Sequence, residues 1–145
     1  MYYNILVPLD GSENAYKTLE YAGNLAKKFD SQVNVLSVFR HHSHIEKSIS
    51  MVRPMEPENL DDVLSAYAKD VVAQGKTILQ EHGVKKVRGF IKMGTASKKI
   101  LEFAKKHNID LIIISSKGNG DLKGYLLGGV AHKVAGLAKC PVMVI

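Results

Sequence analysis

Asp110-Leu111-Ile112-Ile113-Ile114-Ser115-Ser116-Lys117-Gly118, then nine residues, then Gly128-Gly129-Val130: this stretch decides the fold. It opens on a continuous aliphatic run, as expected of a strand covered on both faces by other layers. Glycines follow, and they let the chain take positive φ and bring backbone N–H groups close to a ligand. Gly128 and Gly129 open what reads as a helix from Val130 to Ala138. The unpaired N–H groups and positive dipole end of such a helix attract phosphate. Lys117, Lys123 and Lys133 add positive charge. The spacing alone fits a long surface turn equally well, with glycines at its bends and lysines for solubility.

Outward from this stretch, strands alternate with helices. Tyr3 to Leu9 is a compact apolar run punctuated by Pro8-Leu9-Asp10-Gly11, and reads as a buried strand. Ser12 suits an N-cap, and Ala15, Leu19, Ala22, Leu25, Ala26 and Phe29 recur at helical spacing behind it. Val33 to Phe39 is a second strand, rich in β-branched residues. From Arg40 to Asn59 the pattern lapses, and a long, mobile connection is expected. Leu60, Leu64, Tyr67, Val71 and Ile78 mark a long helix ended by Gly83. Val84 to Ile91 reads as a more exposed strand, and Thr95 caps a short helix closing at Asn108. Pro141 to Ile145 is the last strand.

The order βαβ-αβ-αβ-αβ requires parallel crossovers. The expectation is a single α/β domain over residues 1–145: a five-stranded, mainly parallel sheet between two helical layers. Ligands of such sheets bind beyond the carboxyl ends of the strands, where strand order reverses. Two strand ends carry special residues, Pro8-Leu9-Asp10-Gly11 and the turn from Ser115 to Gly129.

Composition narrows the class. Apolar residues make up 46% and charged residues 23% of the 145, which excludes a disordered chain. The longest aliphatic run, Leu111 to Ile114, is far short of the roughly 20 residues that span a bilayer. The N-terminus lacks the basic start and apolar stretch of a signal peptide, and the lone Cys140 makes no internal disulfide, so a cytoplasmic protein is expected. The net charge of +6 is spread in lysine pairs without interleaved aromatic residues. That pattern argues against nucleic acid as partner and suits an anionic small ligand.

The strand Asp110 to Ile114, Ser115-x-x-Gly118, Gly128-Gly129-Val130 and the closing Cys140-Pro141-Val142-Met143-Val144 together resemble the universal stress protein family. Tyr3 to Ser12 is similar to that family's opening, and only Arg40 to Asn59 falls outside the likeness, in the family's variable part. The resemblance implies sheet order 3-2-1-4-5 and a homodimer through the C-terminal strand. It also implies either ATP or a related adenine nucleotide, with or without Mg, or a nucleotide-free member serving as a dimeric scaffold or regulatory partner. The binding pattern is Gly-x-x-Gly, nine residues, Gly, then Ser or Thr. Here Ser115 stands in the first glycine's place and Gly129 in the hydroxyl residue's place. By resemblance Asp10 contacts the adenosine side, although an Asp there also shapes turns. Pro8 and Val38 line the adenine slot or belong to the core. Gly94 admits the ligand or merely starts a helix. Ser116, Lys117, Gly118, Gly128 and Val130 complete the expected site.

Rival sites are weaker. Gly118-x-Gly120 would need its third glycine at Lys123, and no P-loop or nucleophile elbow is present. His41, His42, His44 and Glu46 lack a completing ligand set, so no protein-held metal is expected. His132 could serve as a base, but with no partner in view a solvated helix residue is the expectation. Binding without catalysis, or with slow ATP hydrolysis at most, follows.

Overall fold

The computed structural model describes residues 1–40, 57–118 and 127–145, with residues 57–59 described by backbone alone. The described elements are β1 (Asn4–Pro8), α1 (Glu13–Phe29), β2 (Gln32–Phe39), α2 (Pro57–Glu81), β3 (Val87–Met93), α3 (Ala96–Lys106), β4 (Leu111–Ile114), α4 (Gly129–Leu137) and β5 (Val142–Val144). The strands form one sheet in the order β3-β2-β1-β4-β5, and every pairing is parallel.

Strand alternation sorts the core into two layers. Ile5 and Val7 of β1, Val33 and Val35 of β2, and Leu111 and Ile113 of β4 face α1 and α2, where Leu19, Ala22, Val71 and Leu79 meet them. Leu6, Leu36, Ile112 and Ile114 face the opposite way, onto Ile100 and Phe103 of α3 and Ala131 and Val134 of α4. This is why the run Leu111–Ile114 is aliphatic at every position: each face of β4 is covered. Complete burial of a side chain such as Ile112 is worth about 1.5–3 kcal/mol.

Local signals set the ends. The Ser12 hydroxyl accepts the Ala15 N–H at 3.2 Å and starts α1, and Asp30 in the left-handed region ends it. The Asp110 carboxylate accepts the N–H groups of Tyr3 at 2.8 Å and Asn4 at 3.2 Å, which fixes the start of β1 beside β4. The residues from 41 to 56 of the expected long connection lie outside the described ones. Its last three residues belong to α2, which starts on Pro57, where a missing N–H and a fixed φ suit a first helical turn.

Strand β3 starts later than the alternation suggests. Gly83 at φ +94° turns the chain out of α2, and the Val84 N–H donates back to the Leu79 carbonyl. Val84 is thus the apolar plug of a helix end, buried in the α1–α2 layer. Pairing with β2 begins only at Val87.

Candidate functional site

β1 pairs with β2 on one side and β4 on the other, so the connections leaving β1 and β4 depart to opposite faces. A cleft of about 700 Å³ opens at the carboxyl ends of these strands. That is within the range of small-molecule sites, roughly 300–1,000 Å³. Its floor is apolar, from Leu36, Val38, Ile100 and Ile114. Polar groups reach it from the surrounding turns and helix starts: Asp10, Arg40, Thr95, Ser97, Ser115 and Lys133.

Of the expected residues, Pro8, Asp10, Val38, Ser115, Gly118, Gly129 and Val130 line this cleft. Gly94, Ser116, Lys117 and Gly128 are not in its lining. Gly94 sits at φ +145°, between β3 and α3, and a Cβ there would press on the Lys99 side chain at 2.7 Å. Its visible role is to start α3. Ser116 and Gly128 instead form the neck of the turn: the Gly128 N–H donates to the Ser116 carbonyl, and the Ser116 N–H donates to the Ile145 carbonyl, both at 2.6 Å. The glycine-bearing turn is thereby fastened to the end of β5. Residues 119–126 within it, Lys123 included, lie outside the described ones, as do His41, His42, His44 and Glu46.

Asp10 stands in the cleft and also shapes its own turn. Its Oδ1 accepts the Ser12 N–H at 2.9 Å and the Ser12 hydroxyl at 2.6 Å, an Asx turn leading into α1. The next residue, Gly11, takes φ +88°, and a Cβ on it would collide with the phenol of Tyr67. Tyr67 therefore packs against the turn that presents Asp10. Nearby, burial first, and then Tyr67, Asp10 and Asp70, push the Tyr16 phenol above its ordinary value, so it remains a neutral hydroxyl.

The two departures from the glycine pattern differ in kind. Ser115 is under no backbone strain, since positive φ at described non-glycine residues is confined to Tyr2, Asp30 and Asn108. Its hydroxyl donates to the Lys117 carbonyl at 2.9 Å. Gly129 is the first residue of α4, and no described atom lies within 4 Å of a Cβ built on it. Arg40, Thr95 and Ser97 were not legible as site residues. Thr95 signalled only an N-cap, and Arg40 only the opening of the connection where the pattern lapses.

His132 is exposed on α4 and does not line the cleft. Cys140 is also outside it, and burial raises its thiol above the ordinary value, which disfavours the nucleophilic thiolate. Among the described residues no group of three His, Cys, Asp or Glu side chains could hold a metal ion. No described helix is long and apolar enough to cross a membrane.

Comparison with known proteins agrees with this geometry. The model of the Universal stress protein family matches residues 1–145. Universal stress protein MJ0531 of Methanocaldococcus jannaschii is 31% identical over 147 residues, covering 100% of this chain and 82% of that protein. The solved structure of universal stress protein UspA from Lactobacillus plantarum superposes with a TM-score of 0.85 at 28% identity, covering 99% of this chain and 97% of that one. More distant proteins share the fold: one universal stress protein in complex with cAMP (TM-score 0.74, 19% identity, 99% and 96% covered) and one from Archaeoglobus fulgidus in complex with dAMP (0.71, 19%, 100% and 99%).

Proposed function

Since the chain belongs to the universal stress protein family, we propose that it binds ATP or a related adenine nucleotide in the cleft between β1 and β4, as a regulatory module of the cytoplasmic stress response and not as an enzyme. The observation that carries this reading is the cleft itself, which gathers Asp10, Val38, Ser115, Gly118, Gly129 and Val130 from distant parts of the sequence. An apolar floor suits a flat base, and the start of α4 offers backbone N–H groups to phosphate. Lys133, one turn further along α4, adds charge. That proteins of this fold hold cAMP and dAMP supports the choice of an adenine nucleotide.

Asp10 would face the ribose or adenine with the carboxylate that also holds the Ser12 turn. A Mg ion would arrive on the nucleotide's own phosphates, because Asp10 is the one carboxylate among the described cleft residues. Turnover is not expected: His132 stands outside the cleft, and no other described histidine lines it. A homodimer through β5 fits the sheet order, which leaves that apolar strand at an edge.

Small molecules released from freshly purified protein and identified by mass test the reading, together with calorimetric titration of ATP. Co-purified adenine nucleotide or saturable binding supports it. Nucleotide-free protein without ATP affinity up to millimolar would favour the alternative, a nucleotide-free dimeric scaffold. That alternative draws on Ser115, whose side chain is spent on the Lys117 carbonyl, and on Gly129, which lacks the pattern's hydroxyl.

A further inference from the structure

The residues proposed above to meet phosphate and ribose leave one wall of the cleft without a role, the start of α3. Thr95, Ala96, Ser97 and Ile100 line it. Thr95 holds the N-cap position, yet its side chain makes no capping hydrogen bond. Ser97 lies on the inward face of α3 with Ile100 and Phe103, and is only 8% exposed. Among the described residues its hydroxyl has no hydrogen-bond partner, whereas Thr18, the buried hydroxyl of α1, donates to the Ala15 carbonyl. No unpartnered side-chain oxygen is sealed from solvent among the described residues, so what exposure Ser97 retains opens into the cleft.

A hydroxyl that opens into the cleft meets water in the free protein, and a ligand that displaces this water without replacing its hydrogen bond leaves the hydroxyl unsatisfied, so a ligand that supplies a partner is favoured. Two features define that partner. The wall adjoins the apolar floor of Val38 and Ile100, which suits a flat heterocycle over a hydrated anion. The positive end of α3, with no acidic residue in its first turn, turns the hydroxyls towards donating to an electron-rich atom.

We infer that Ser97, with Thr95 beside it, is the base-reading pair of the nucleotide cleft, donating to the bare N1 of the adenine ring. The inference rests on the nucleotide reading above. The cleft then separates an adenine from a hypoxanthine nucleotide: ribose and phosphates are identical, but hypoxanthine carries N–H where adenine carries a bare ring nitrogen.

The test is calorimetric titration of the full chain with ATP, ITP and inorganic triphosphate, in the unaltered protein, Ser97→Ala and Thr95→Val. The unaltered protein should prefer ATP over ITP by about tenfold. Ser97→Ala should weaken ATP by roughly five- to tenfold and leave ITP and triphosphate within about twofold, so that the preference collapses. Thr95→Val should act in the same direction. The thermal midpoint of Ser97→Ala should be unchanged, because the hydroxyl makes no hydrogen bond within the described protein. An ATP:ITP ratio unaltered by Ser97→Ala overturns the inference while leaving nucleotide binding intact. Equal weakening of triphosphate overturns it too, by making this wall an anion subsite. A midpoint several degrees lower would make the hydroxyl structural, against the inference. Failure of every nucleotide to bind the unaltered protein would remove the reading beneath it.

Discussion

Restoring a hydroxyl at residue 129 should strengthen nucleotide binding without disturbing the fold. Gly129 is the first residue of α4, lines the cleft, and has no described atom within 4 Å of the place a Cβ would take. Its φ is outside the left-handed region, so an L-residue is tolerated. Gly129→Ser adds one donor where the helix start would meet phosphate. A hydrogen bond to a charged acceptor is worth about 1.5–3 kcal/mol net, and ordering the serine takes back up to roughly 1. A gain of about 1–2 kcal/mol corresponds to roughly a 5- to 30-fold tighter Kd for ATP. Gly129→Ala is the control: it adds the Cβ without the hydroxyl and should leave Kd within about twofold. Both variants should melt at or slightly above the parent temperature, because glycine is a poor helix residue by up to about 1 kcal/mol. Calorimetry with ATP, ADP and adenosine reads the outcome, and the gain should vanish for adenosine. If Ser and Ala at 129 change ATP affinity equally, or adenosine gains as much as ATP, the phosphates do not lie at α4 and the reasoning fails.

Lys133→Gln should weaken ATP about two- to fivefold and leave adenosine unaffected, the range for an exposed charge, with the difference shrinking in high salt; a salt-independent loss would speak against a charge effect. Gly11→Ala should lower the thermal midpoint by roughly 5–15 °C, since it forces a Cβ into positive φ and against Tyr67, and scanning calorimetry would show no shift if that packing were dispensable. His107 stacks on Phe103 with ring centroids 4.0 Å apart, and its imidazole is held below its ordinary value by burial, then by Lys106, Lys92 and Arg88. The folded state then binds fewer protons than the unfolded one, so stability falls as pH drops through about 6.5 and levels off below the folded value. His107→Gln should therefore lose less in thermal midpoint between pH 7.5 and 5.5 than the parent; an equal loss would place the acid sensitivity elsewhere. Ile112→Ala, at a position with no exposure in the central sheet, should cost about 2–5 kcal/mol in urea unfolding, and a cost under 1 would contradict the two-layer packing.

The fold was legible because its signals are local and redundant. The aliphatic run at Leu111–Ile114, the helical spacing from Ala15 to Phe29 and the caps at Ser12 and Gly83 each name an element, and their alternation leaves few topologies. What escaped were boundaries decided by pairing and packing. Val84 carries the composition of a strand, but its backbone is claimed by Leu79 and its side chain by the α1–α2 layer. Pro57 looked like part of a loop, although a proline is as well suited to a helix's first position as to a turn.

Half of the site was legible for a similar reason. Asp10 and the glycines sit in turns with a recognisable order, whereas Arg40, Thr95 and Ser97 reach the cleft only because β2 and β3 lie side by side on one flank of β1. The same placement weighs the departures at 115 and 129. By sequence the serine at 115 puts a Cβ where the family pattern has bare backbone. In the fold it sits without strain and its hydroxyl is used within the turn, which leaves any cost to contact with the ligand. The glycine at 129 leaves the start of α4, which lines the cleft together with Lys133, without the family pattern's hydroxyl donor. Phosphate would then be held by backbone N–H groups and mobile charge, and the base by the slot of Val38 and the hydroxyls of α3. A site weighted in that way discriminates among bases more sharply than among phosphate lengths. Titrating AMP, ADP and ATP beside ITP should accordingly spread the adenine series less than about tenfold while ITP falls outside it; a steep rise with each added phosphate would return the weight to residues 128–133.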